Sequence, residues 1–144
     1  MKHYVLGFIF NRHRDEVLLI QKKRPEWQAG HWNGIGGKVG DKLGGLSETP
    51  NEAIVRECCE ETKMDGAGFE HVITMLCDGG TVFIYRAFCK DAYIPFTQVE
   101  DEVLQAWHVD SLPEEMMVNC KLMIEICLAK SIKFPVIIQK DGVL

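Results

Sequence analysis

The residues with the most evident chemistry lie in RECCEETKMD, which begins at Arg56. Glu57, Glu60 and Glu61 crowd together there, with Cys58 and Cys59 between them. On a helix these three carboxylates fall within an arc of about 100°. Ala53 shares that sector, while Val55, Cys58, Cys59 and Thr62 lie opposite and Ile54 at its edge. The pattern assigns both cysteines to a buried face and the glutamates to the other. Like charges at i, i+3 and i, i+4 destabilise a helix by a few tenths of a kcal/mol per pair. No lysine or arginine falls within the arc to offset them. One outcome is a solvated acidic face. The other is a divalent cation, because Mg²⁺ is held by a few carboxylates together with water and substrate phosphates.

The segment that leads into this helix is GHWNGIGGKVGDKLGGLSETP. Thr49 is placed to cap the helix, Pro50 suits its first turn, and Glu52, three residues after Thr49, completes a capping box. The helix is therefore expected from Pro50 to about Lys63, with DGAG ending it. Gly34, Gly36 and Gly37 permit a close approach of the backbone to a ligand or to another side chain. GIGGK lacks the Gly-Lys-Ser/Thr of a P-loop, and GIGGKV lacks the last glycine of a dinucleotide fingerprint.

The remaining elements read as a mixed sheet with helices. HYVLGFIF and EVLLIQKK form an antiparallel pair across NRHRD. GGKV is a short strand within a long loop, HVITMLC and TVFIYRAFC pair across DGG, and LQAWHV is a further strand. LPEEMMVN is a turn or a short helix, KLMIEICLAKSI an amphipathic helix, and PVIIQ a strand at the sheet edge. No repeat, linker or low-complexity tract divides the chain, so residues 1–144 form one domain.

Composition excludes several classes of function. The net charge of −5 gives no general attraction for polymeric nucleic acid or an anionic membrane. The apolar run near the N-terminus is too short for a signal peptide, and no stretch reaches the ~20 residues of a membrane span. The cytoplasm is the default compartment. Six cysteines without a Cys-x-x-Cys pair or secretory signal read as reduced, mostly buried thiols.

Taken together, Gly37, Glu48 and Arg56-Glu57-Cys58-Cys59-Glu60-Glu61 resemble the Nudix hydrolase signature, G-x5-E-x7-R-E-U-x-E-E-x-G-U, with U aliphatic. Seven residues separate Glu48 from Arg56, as in the signature. Ten rather than five separate Gly37 from Glu48, which marks an insertion over 40–47. Lys63 stands at the closing glycine and Cys58 at the aliphatic position. The segment QKKR…AGHWNGIGGKV is most similar to the oxidised-purine nucleoside triphosphatase (8-oxo-dGTPase) branch.

The resemblance implies an α/β/α sandwich with a central mixed sheet flanked by helices. It implies Mg²⁺, or Mn²⁺ in its place, held by Glu57, Glu60, Glu61 and the Gly37 carbonyl, with a further acid from QVEDEV: Glu102, or Glu100 beside it. Arg56 and Glu48 match a pair that orients loop and helix, and Glu61 or Glu102 matches the base that takes a proton from water. Asn33 matches a purine contact, and Asn119 is the nearest polar counterpart of the branch's other base-binding residues. Lys38, and one of Lys22, Lys23 or Arg24, are candidates for phosphate; Trp32 and Trp27 are candidates to stack on a base or to pack in the core. The expected activity is cleavage of a nucleoside triphosphate, an oxidised or modified purine nucleotide included, to monophosphate and pyrophosphate. The alternatives are another nucleoside diphosphate derivative (ADP-ribose, a dinucleotide, capped RNA) and a non-catalytic binding module. The expected partner is a small-molecule nucleotide, and the expected state a monomer or homodimer.

Overall fold

A computed structural model describes residues 2–40, 48–99 and 101–142. Most of the insertion over 40–47, and Glu100, lie outside the described residues.

The chain forms strands β1 (Lys2–Phe10), β2 (Glu16–Gln21), β3 (Trp32–Asn33) and β4 (Ile35–Lys38), then helix α1 (Pro50–Thr62). Strands β5 (Glu70–Cys77), β6 (Gly80–Phe88) and β7 (Val103–His108), helix α2 (Cys120–Leu128) and strand β8 (Val136–Gln139) follow. All eight strands belong to one mixed sheet, ordered β3-β2-β1-β6-β5-β8, with β4 also on β1 and β7 also on β2. β1 is the axis. It runs parallel to β6 from Lys2–Gly80 to Phe10–Phe88, and antiparallel to both β2 and β4.

Alternation along the strands divides the core into two layers. Phe8, Phe10, Val17 and Leu19 face α2, where they meet Met123, Ile124 and Cys127. Val5, Ile9, Leu18 and Ile20 face α1, where Ala53, Ile54 and Cys58 cover them. Each layer closes one side of the sheet, which gives the α/β/α sandwich. The segment LPEEMMVN is a turn rather than a helix, tied by a bridge between Trp32 and Met116. β8 pairs parallel with β5 and closes that edge. No helix among the described residues is long and apolar enough to cross a membrane.

Candidate active site

Helix α1 starts on the expected capping box. Thr49 Oγ1 accepts the Glu52 amide at 3.2 Å, and Glu52 Oε1 accepts the Thr49 amide at 3.1 Å. At the other end Lys63 adopts a left-handed conformation (φ 60°), and its amide reaches the Cys59 carbonyl. The helix thus ends in the left-handed turn that a glycine adopts most readily, but on a lysine.

The buried stripe of α1 is Ala53, Ile54, Cys58 and Thr62. Val55 (50% exposed) and Cys59 point to solvent, contrary to the sequence reading that placed both cysteines inside. The stripe is rotated towards the acids, because the strand beneath it is glycine. Gly36 and Gly37 lie on β4, which packs against the helix, and Gly37 leaves space at the seam for Glu57. The Gly36 amide donates to Glu61 Oε1 at 3.2 Å. A Cβ at Gly37 would collide with the Glu57 carboxylate, and one at Gly36 with the Val5 carbonyl. Glu60 alone of the three is exposed.

The expectation that no cation offsets the acidic arc is corrected by Arg56. Its guanidinium reaches across the helix surface, with Nη1 2.9 Å from Glu57 Oε1 and 3.4 Å from Glu60 Oε2. Its Nε and Nη2 donate to the two oxygens of Glu48 at 2.7 and 3.0 Å. Nη2 also donates to the Lys38 carbonyl at 3.1 Å, and Glu48 Oε1 accepts the Gly40 amide at 2.8 Å. Two side chains therefore bind the helix to the end of β4. Hydrogen bonding from Arg56 holds the Glu48 carboxyl below the usual range, and Glu48 in turn raises the Arg56 guanidinium.

Glu61 is the perturbed acid. Burial is the main cause that pushes its carboxyl up to about 8. The Lys22 ammonium opposes that shift, whereas Glu57 and Glu102 reinforce it. Lys22 closes the group from β2, with Nζ 3.8 Å from Glu102 Oε1 on the strand boundary of β7. Glu57, Glu61, Glu102 and Lys22 are thereby brought into one electrostatic neighbourhood. Among the described residues no three acidic, histidine or cysteine side chains form a ready-made cage for an ion. The donor set nevertheless suits Mg²⁺, which keeps several waters and takes substrate phosphate oxygens alongside one or two carboxylates.

A cavity of about 580 Å³ opens beside the acids. Gly36, Gly37, Lys38 and Lys22 form the wall near them; Asn33 and Trp27 stand at its side. Tyr4, Val82 and Met75 floor its far part, with Met117 and Met123 above. Asn33 is brought to this cavity as expected, and its Oδ1 accepts the Gly34 amide at 2.8 Å, so its amide nitrogen is turned away from that bond. Lys23 and Asn119 are both exposed and do not line it. Asn119 instead starts α2 in a left-handed conformation (φ 69°). Trp32 is 7% exposed and packs edge-on against Trp107, so it belongs to the core; Trp27, 58% exposed, is the tryptophan at the cavity. Met75, Met123 and Lys140 escaped sequence reasoning, because they come from β5, α2 and the end of β8 and carry no motif. A second cavity, of about 660 Å³ between α2 and the loop through Pro113, is remote from the acids.

The cysteines take no part. All six are free, and burial pushes the thiols of Cys120 and Cys127 up to about 12, far from thiolate chemistry at neutral pH.

A family model described as NUDIX domain matches residues 1–120. Solved structures share the fold. The MutT NUDIX hydrolase from Burkholderia pseudomallei is 23% identical, with 86% of this chain and 95% of that one covered at a TM-score of 0.65. An ADP-ribose pyrophosphatase from Streptococcus suis is 18% identical over 96% and 98% of the two chains, with a TM-score of 0.67. The NUDIX domain of Shewanella oneidensis NrtR, complexed with ADP ribose, is 17% identical over 86% and 84%, with a TM-score of 0.62. A search of curated proteins finds no match. With that family model spanning most of the sequence, the chain belongs to the NUDIX domain family.

Proposed function

We propose that this NUDIX protein is a divalent-cation-dependent pyrophosphohydrolase that cleaves a nucleoside triphosphate, a modified purine nucleotide included, to monophosphate and pyrophosphate. The observation that carries the reading is the seam where Gly36 and Gly37 lie under Glu57 and Glu61 at the rim of a nucleotide-sized cavity. Glu57, Glu61 and the Gly37 carbonyl would hold the cation, with Glu102 completing the set from β7. When bound, Mg²⁺ or Mn²⁺ would neutralise phosphate charge and acidify water.

The chain's own residues account for the rest. Arg56, fixed by Glu48, orients Glu57 towards the seam. Lys22 and Lys38 bring positive charge to the phosphate end of the cavity. A bound divalent cation would favour the ionised form of Glu61, and in that form the carboxylate would take a proton from water at Oε. Asn33 presents its amide nitrogen to the base, and Trp27 offers a ring beside it.

The decisive experiment is a panel of nucleoside triphosphates and ADP-ribose, incubated with Mg²⁺ or Mn²⁺, with products identified. Monophosphate plus pyrophosphate from a triphosphate supports the proposal; cleavage confined to ADP-ribose replaces it with the second substrate class. No turnover of any compound would leave the chain a binding module.

A further inference from the structure

We infer that Lys22 is a positioning residue for the cation site: in the metal-free protein its ammonium group holds Glu102, and a divalent cation must displace it before Glu102 can join the other acids. The inference rests on the reading of Glu57, Glu61 and Glu102 as ligands of the cation.

The sheet brings the two side chains together. β2 and β7 pair antiparallel from Glu16–His108 to Gln21–Val103, so the next step of the ladder sets Lys22 opposite Glu102. Backbone bonds fix both positions. The Lys22 amide donates to the His31 carbonyl at 2.9 Å, and the Lys22 carbonyl accepts the Gly30 amide at 2.8 Å. On the other strand the Gln98 side chain donates to the Glu102 carbonyl, and its Oε1 accepts the Leu104 amide at 2.9 Å. Lys22 Nζ then lies 3.8 Å from Glu102 Oε1, with both side chains largely covered.

Lys22 stands between two kinds of group. Its charge is felt at Glu61, where it opposes the effect of burial, while the Glu102 charge acts there in the opposite sense. On its other side Lys22 lines the cavity together with Gly37 and Lys38. One ammonium thus acts as counter-charge to two acids. It has three donors and no acceptor, so it cannot share their oxygens with a metal ion as a ligand would. An ammonium paired with Glu102 and a cation bound by Glu102 compete for the same oxygens and repel each other. The pair is long and partly solvated, which makes it weak and easily exchanged. A flexible four-carbon stem lets the ammonium swing aside while the backbone stays in its ladder. The space open to it is the cavity, where substrate phosphates would take the charge. Lys23, one residue on, is exposed and lines no part of that cavity.

The test measures binding of Mn²⁺ to the full chain without nucleotide, read from the electron paramagnetic resonance signal of free Mn²⁺. No turnover enters the readout. Lys22→Met is expected to bind Mn²⁺ about three- to tenfold more tightly than the wild type, because the competing charge is gone. Lys22→Gln, which keeps a polar side chain, should repeat the gain, and Lys22→Arg should abolish it. Lys23→Met removes the same charge from an exposed neighbour and should change the affinity less than about twofold. In a Glu102→Gln background the gain from Lys22→Met should largely vanish, because the contested carboxylate is gone. Unchanged or weaker binding in both Lys22→Met and Lys22→Gln, an equal gain in Lys23→Met, or a gain that persists beside Glu102→Gln overturns the role of Lys22 and leaves the hydrolase reading intact. Failure of every one of these proteins, the wild type included, to bind Mn²⁺ overturns both.

Discussion

Arg56 grips Glu48 through two nitrogen–oxygen contacts, 2.7 and 3.0 Å long, and the same guanidinium touches Glu57 and the Lys38 carbonyl. The paired donors match a carboxylate in a way that lysine cannot. Arg56→Gln strands three carboxylates at once and is expected to cost about 2–3 kcal/mol of stability; Glu48→Gln, which leaves Arg56 with other partners, about 1 kcal/mol. Urea denaturation of the two variants checks the ranking, and a smaller loss for Arg56→Gln would remove the clamp from the account.

Glu61 makes the metal-free protein sensitive to pH. Its folded pKa lies near 8, above the unfolded value, so the folded state holds the proton more tightly. The stability this provides is complete below about pH 4.5 and is lost as pH rises towards 8. Glu48 is shifted the other way, so its contribution is present above the ordinary carboxylate range and lost in acid. Thermal melts in chelator from pH 5 to 8.5 should show a decline, and Glu61→Gln should flatten it. A decline of equal size in Glu61→Gln would show that another group is responsible.

Turnover is expected to depend on the same acids. Chelation is expected to abolish activity. Glu57→Gln and Glu61→Gln should each lower kcat by roughly 10²–10⁴, the range for groups that bind the catalytic cation or move the proton. Steady-state kinetics at saturating Mg²⁺ give the answer, and full activity in either variant refutes the assignment.

Asn33 separates a structural contact from a binding one within a single side chain. Asn33→Asp retains an oxygen for the Gly34 amide and deletes the amide donor. It should raise KM for purine nucleotides about tenfold or more while the melting temperature stays within a few degrees. An unchanged KM would remove the base contact.

Much of this was legible in the sequence, for local reasons. The capping box of α1, the Arg56–Glu48 spacing and the antiparallel pairing of β1 with β2 are short-range patterns, and each recurs in the fold as read. What escaped was rotational or long-range. The helical wheel placed Cys59 and Val55 inside because it could not know that glycines on β4 would draw the stripe towards Glu57 and Glu61. Trp27 and Trp32 are equivalent in composition, and only the bridge to Met116 and the contact with Trp107 commit Trp32 to the core. Lys140 reaches the cavity through pairing of β8 with β5, a partnership that no motif announces.

Lys63 holds a left-handed backbone at the end of α1, which costs a non-glycine residue about 1–2 kcal/mol. Lys63→Gly relieves that but raises the conformational entropy of the unfolded chain, so a net gain of about 0.5–1 kcal/mol is expected from chemical denaturation. A loss would mean that the lysine side chain contributes more than its backbone costs.

The central position of β1 also sets an order of assembly. Its parallel partner β6 begins at Gly80, C-terminal to α1 in the chain. Until those residues arrive, the strand that supports β4 lacks one neighbour, and the acidic helix has only part of its platform. The wide loop closure between residues 10 and 80 makes the β1–β6 pairing a long-range contact, entropically costlier to form than the β1–β2 pair. The sheet beneath the acidic helix is therefore complete only when β1 has both β4 and β6 beside it.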